Sequence, residues 1–150
     1  MPDPSIIEII HQKLGEKKDN FLIPPPVFTT MEGEFIAFDP KAGVIKTKFP
    51  IQNEFLNPFG SMQGGMVAAA VDNTFGPLSM LVAPPSVTRR IEMKFSRPVT
   101  PDLQYITVEA KLVNRDDRML TFHADVRDLR GTLLAKAKAL HWILDESEEE

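Results

Sequence analysis

Between Met66 and Ala83 the chain reads "MVAAAVDNTFGPLSMLVA", an apolar run carrying a single charge, Asp72. No other stretch constrains the fold as strongly. It is nearly long enough to cross a bilayer, yet a carboxylate near the centre of a spanning helix costs about 2.5–3.5 kcal/mol, and Asn73 adds to that. Gly76 and Pro77 weaken a spanning helix further. The run is therefore expected to form a helix over Gly65–Val82, ended by "APPS" and buried in a water-soluble protein. A helix apolar on nearly every side must be covered on most of them.

The flanking sequence supplies the cover. After the helix the pattern changes to period two, and Thr88–Pro98, Leu103–Val113, Met119–Arg127 and Thr132–Leu144 read as strands separated by the turn sequences "TPD", "NRDD" and "DLRG". Turns this short make successive strands antiparallel neighbours. Before the helix, two strands near Gly33–Phe38 and Gly43–Pro50 flank "DPKAG", which has hairpin chemistry. "DPSIIEIIHQKLG" reads as an amphipathic helix with Asp3 as cap, Pro4 in the first turn and Gly15 at its end. "EKKDN" is a solvated turn, "IPPPVF" an extended connector that excludes helix, and "DESEEE" a like-charge tail expected to be disordered. The outline is α+β, one antiparallel sheet wrapped around one long helix. A single sheet covers only part of that helix, and a second copy of the chain is the simplest cover for the rest.

At 150 residues the chain is the size of one domain, and its net charge of -4 argues against a nucleic-acid binder. There are no cysteines, which removes disulfides, thiolate metal sites and a cysteine nucleophile. The N-terminus lacks the basic region of a signal peptide, so the expected location is the cytoplasm. His11, His123 and His141 have no ligand spacing, and no metal is expected; His123 and His141 read as structural or surface groups. Trp142 and the phenylalanines read as core.

Gly64 and Gly65 stand where the chain enters the helix. The first amides of a helix have no internal partner and carry the positive end of its dipole. A glycine lets a substrate oxygen approach such an amide, as an oxyanion hole requires, although a glycine pair also simply makes a tight turn. Asp72 has Ala68, Ala69, Gly76 and Ser79 as neighbours on the helical wheel, all small. It lies in a groove open to a ligand, or is buried and satisfied through Asn73 or Ser79, or is exposed; the last fits least well with so apolar a segment. Gly64 and Asp72 are roughly 12 Å apart along one helix. Catalytic contacts need about 2.6–3.2 Å, so the two can share a carbonyl only if antiparallel helices of two chains lie side by side.

The spacing Asn57-x-x-Gly60-x-x-Gln63-Gly64-Gly65, followed by Asp72, resembles the signature of hot-dog fold acyl-CoA thioesterases, in particular the PaaI-like clade of phenylacetyl-CoA thioesterases. "TRRIEMKFSRPV" is similar to the strand that follows the helix in that clade. The likeness spans roughly residues 33–144. It implies a hot-dog domain over 21–145, with an N-terminal helix and turn over 1–20 and an acidic tail over 146–150. It further implies homodimers or homotetramers with sites at the subunit boundary, and hydrolysis of an acyl-CoA to an acid and coenzyme A without metal or cofactor. Carried over, the Gly64 amide is the oxyanion donor, and Asp72 of the other chain is nucleophile or general base. Asn57 orients water or carbonyl, and Thr88 holds the water or Asp72. Gln63, Gly65, Arg89 and Arg90 are the implied substrate contacts, the arginines beside Lys94 and Arg97 as candidates for the coenzyme A phosphates.

Gln63 departs from the family pattern, which has His before the two glycines. Gln keeps hydrogen-bonding capacity and loses the imidazole's charge and proton chemistry. The alternatives to a thioesterase are a non-catalytic acyl-CoA-binding protein or sensor, and a hot-dog dehydratase or hydratase. The second is disfavoured because no His is evidently placed near the helix acid.

Overall fold

The computed structural model describes residues 4–144; the proposed Asp3 cap and the acidic tail lie outside them. Helix α1 (Pro4–Leu14) places Ile6 and Ile10 in the core, and Gly15 ends it with φ +58°, a conformation glycine adopts without strain. Residues Gly15–Asn20 form an exposed 3-10 segment. The tri-proline connector corrects the expectation of an extended chain. Pro26 opens a five-residue helix, α2 (Pro26–Thr30), because a proline at the first helical position lacks only an N–H that would have no partner there. It delivers Phe28 to the core, stacked on Phe35 at 4.4 Å between ring centroids.

The strands are β1 (Glu34–Asp39), β2 (Val44–Pro50), β3 (Ser86–Phe95), β4 (Tyr105–Asp116), β5 (Met119–Arg127) and β6 (Leu133–Ile143). They form one antiparallel six-stranded sheet in the order β1-β2-β4-β5-β6-β3. Three of the expected neighbour pairs are present; β3 with β4 is not. β3 pairs with β6 at an edge, and β4 pairs with β2. The "TPD" stretch is a one-turn 3-10 segment, Pro101–Leu103, inside a crossing from the sheet edge to its centre. Backbone bonds from Met62 to Val99 (2.7 Å) and from Ile51 to Gln104 (2.8 Å) hold that crossing.

Helix α3 (Gly64–Val82) runs along the concave face. Val67, Ala70, Val71, Phe75 and Leu78 are buried in the same core as the inward residues of β2, β4, β5 and β6. Its polar side chains bond inside the protein. Thr74 Oγ1 donates to the Ala70 carbonyl and meets Thr47 Oγ1 at 2.8 Å, Asn73 donates to the Ala69 carbonyl, and Ser79 donates to the Gly76 carbonyl. Trp142 corrects its core assignment: it is partly exposed, with Arg89 and Arg118 over its ring at 5.6 and 5.3 Å.

Candidate active site

One face of α3 is left uncovered. Gly65 and Asp72 are exposed, with Ala68 and Gly76 partly so, a stripe at helical spacing. This overturns the buried reading of Asp72: Asn73 and Ser79 are engaged with backbone carbonyls, and the carboxylate faces outward.

Asp72 nevertheless has a fixed partner. Thr88 Oγ1 donates to Asp72 Oδ1 at 3.0 Å. Strand alternation alone would turn Thr88 away from the helix, in phase with Arg90, Glu92 and Lys94. A bulge prevents this: Thr88 pairs with His141 and Arg90 with Leu140, so Arg89 is an extra residue that reverses the phase. Thr88 then shares the helix-facing side with Ile91, Met93 and Phe95.

Behind Thr88 stands His141 of β6, 2% exposed, with Nε2 at 3.3 Å from Thr88 Oγ1 and Nδ1 at 3.2 Å from Ser86 Oγ. Donor counting orients the chain. The carboxylate can only accept, so Thr88 spends its one proton on Asp72 and must accept from His141. The imidazole therefore carries its proton on Nε2 and accepts at Nδ1 from the Ser86 hydroxyl. Burial pulls the His141 pKa below the ordinary imidazole value, partly opposed by the negative charge of Asp72, so the ring is neutral near pH 7. The result is a directed relay, Ser86 to His141 to Thr88 to Asp72. The reason for setting aside a hydratase, that no His lies near the acid, is thereby corrected. Both ring nitrogens are occupied and the ring is buried, so His141 reaches Asp72 only through a hydroxyl.

At the other end of α3, Gln63 is the N-cap residue, is exposed, and makes no side-chain cap. Among the described residues the Gly64 and Gly65 amides have no backbone acceptor. Gly64 lines a cleft of about 440 Å³ with Asn57, Phe59, Phe95 and Arg97. A Cβ on Gly64 would lie 3.2 Å from Phe95 Cζ, whereas one on Gly65 would meet open space. Asn57 Oδ1 accepts from the amides of Phe59 (2.9 Å) and Ser61 (3.1 Å), which fixes the loop entering α3. Only its Nδ2 donors remain for a substrate, which suits a carbonyl oxygen.

Asn57 and Gly64 are thus brought together, and so are Asp72 and Thr88, but the two pairs lie at different places on α3. The four cations do not converge. Arg89 covers Trp142, Arg90 is ion-paired with Glu92, Lys94 is across from Lys136, and Arg97 lines the cleft. The sequence did contain one signal for His141. It falls in phase with Ala135, Ala137, Ala139 and Ile143, the inward positions of β6, opposite to Lys136 and Lys138.

A long helix wrapped by an antiparallel six-stranded sheet, with a conspicuous glycine pair at the helix start, is the hot-dog fold. The chain belongs to the thioesterase superfamily, whose sequence profile matches residues 59–135. A structure from Ralstonia eutropha JMP134, named as an inferred thioesterase related to phenylacetic acid degradation, superposes with a TM-score of 0.77 at 25% identity, covering 90% of this chain and 98% of that one. The PaaI protein from the phenylacetic acid degradation operon of E. coli shares the fold at a TM-score of 0.75 and 13% identity, with coverage of 93% and 96%. An inferred esterase of Saccharolobus solfataricus is 25% identical over 120 residues, 79% of this chain and 83% of that protein. The family match, the Ralstonia structure and the Saccharolobus relative support thioester hydrolysis in general terms. Among the described residues, no helix is long and apolar enough to cross a membrane.

Proposed function

We propose that the chain is a cytoplasmic acyl-CoA thioesterase whose reaction centre forms between two copies, as a homodimer or a dimer of such dimers. The observation that carries this reading is the held carboxylate on an otherwise small-residue, uncovered helix face: Thr88 pins Asp72 Oδ1, and no hydrogen bond among the described residues engages Oδ2. If two α3 helices pack antiparallel along that stripe, Asp72 of one copy faces the Gly64 amide of the other, giving two equivalent sites.

In such a site the Gly64 amide and Asn57 Nδ2 donate to the thioester carbonyl oxygen. Asp72 takes a proton from a water that attacks the carbonyl carbon, or attacks it directly and is released by water in a second step. The carbon–sulfur bond breaks, and the thiolate of coenzyme A leaves and takes up a proton. Thr88 fixes the carboxylate, and His141 and Ser86 fix Thr88. A thioester is reactive enough for one polarising pair and one placed carboxylate to suffice. Gln63, Gly65, Arg89 and Arg90 remain the proposed substrate contacts, Gly65 because its site is open.

The test is a screen of acyl-CoAs with a thiol reagent, comparing wild type with Asp72→Asn and Asp72→Ala. Turnover that vanishes in both variants supports the hydrolase. Tight acyl-CoA binding without turnover in the wild type supports the sensor reading instead, and Gln63→His then reports what the departure from the family pattern costs.

A further inference from the structure

A second cavity lies toward the C-terminal end of α3, apart from the cleft beside Gly64. It measures about 680 Å³, within the range of small-molecule sites, and sits between the last turn of α1, the end of α3 and the tip of β4. Its floor is apolar, with Leu14, Met80, Val82 and Pro84; its walls carry Lys13, Lys17 and Arg115 against the single carboxylate of Glu16. Met80 is two turns beyond Asp72 on α3, roughly 12 Å along the axis.

The cations are arranged in an unusual way. Lys13 Nζ donates to the Ala83 carbonyl at 2.7 Å, just past the C-terminus of α3, which anchors it at the cavity wall with N–H donors to spare. Arg115 is near enough for its charge to act on Lys13, whose pKa is lowered first by burial and then by that repulsion. Among the described residues neither Lys13 nor Arg115 has a carboxylate partner. Two cations that line one apolar floor, neither paired with a carboxylate among the described residues, are complementary to an anion with a greasy body, since the anion relieves the repulsion and the floor accepts the body.

We propose that this cavity binds an amphiphilic anion, its carboxylate or phosphate head between Lys13 and Arg115 and its apolar stem along Leu14, Met80 and Val82. Two sources share that chemistry, a free long-chain carboxylate and the phosphate-bearing end of a coenzyme A thioester. The site itself does not depend on the thioesterase reading.

The test uses the full chain with methyl-labelled methionine, titrated separately with dodecanoate and with coenzyme A. Met80 reports on this cavity and Met62 on the cleft beside Gly64. A saturable shift of the Met80 signal with dodecanoate supports the proposal and assigns free carboxylates; the same shift with coenzyme A supports it and assigns the phosphate end. Arg115 is exposed, so its substitution leaves the core intact. Arg115→Glu is expected to weaken the binding roughly tenfold or more, the loss of a charge-assisted contact, while Arg115→Lys retains it. Asp72→Asn leaves it unchanged, which separates this site from the reaction centre. The proposal is overturned if neither ligand moves Met80, or if Arg115→Glu binds as tightly as wild type.

Discussion

Thr88 reaches Asp72 across the gap between an edge strand and a helix, at 3.0 Å, because the strand takes in one additional residue, Arg89, before resuming its pairing with β6. A carboxylate exposed on a helix would otherwise sample several rotamers. The hydroxyl selects one, and the buried imidazole behind it keeps the hydroxyl from rotating away.

Replacing that hydroxyl tests its role. Thr88→Val keeps the shape, frees the carboxylate, and leaves the His141 N–H without its acceptor. The expected cost is about 1–3 kcal/mol of stability for the unpaired donor. Acyl-CoA hydrolysis is expected to lose roughly ten- to a hundredfold in kcat from misplacement, with KM little changed. Thr88→Ser restores both. Steady-state kinetics and denaturant melts read the two effects separately.

His141 makes the fold sensitive to acid. Its folded pKa lies below the ordinary value of 6.5, so the unfolded chain takes up the proton first as pH falls. The stability linked to its neutral form is complete above 6.5 and is lost as pH falls toward the lowered folded value. Denaturant midpoints measured between about pH 8 and 5 should therefore fall more steeply for wild type than for His141→Gln, which cannot titrate there. Parallel curves would remove the linkage.

The uncovered stripe on α3 is expected to be an interface. Ile91 (36% exposed) and Phe95 (52%) on the helix-facing side of β3 extend it beyond Ala68 and Asp72. Ala68→Glu adds a charge one turn from Asp72, which costs the helix itself only about 0.2–0.5 kcal/mol. The variant should stay folded by circular dichroism yet run as a monomer by light scattering, without hydrolytic activity. A dimer of unchanged strength would place the interface elsewhere.

Most of the fold was legible because it rests on local pattern. The apolar run of α3 and the alternation of β4, β5 and β6 are dictated by which side chains must leave water. What stayed hidden depends on residues far apart in sequence. The pairing of β3 with β6 follows from a crossing past α3 that no turn signal marks. The bulge at Arg89 leaves no trace in a strand whose residues are nearly all exposed in one chain. The short helix at Pro26 is hidden because three consecutive prolines look like an extended connector, and only the last of them opens a helix. Asp72 stands out as the one charge in an apolar run and Gly64 by its place at a helix start, Asn57 only through the family resemblance, whereas His141 could not be tied to Asp72 without the register of two strands.

The most direct measurement is complementation between two inactive variants. Gly64→Pro removes the amide donor while respecting the helix start, since Gln63 already has the ψ of 136° that a following proline favours. Asp72→Asn removes the base or nucleophile. If Asp72 of one protomer works with Gly64 of the other, randomly mixed dimers of the two variants contain one intact site in each hybrid. Activity should then recover to about a quarter of wild type. Hybrids that form, by native mass spectrometry, and remain as inactive as either parent would contradict the account.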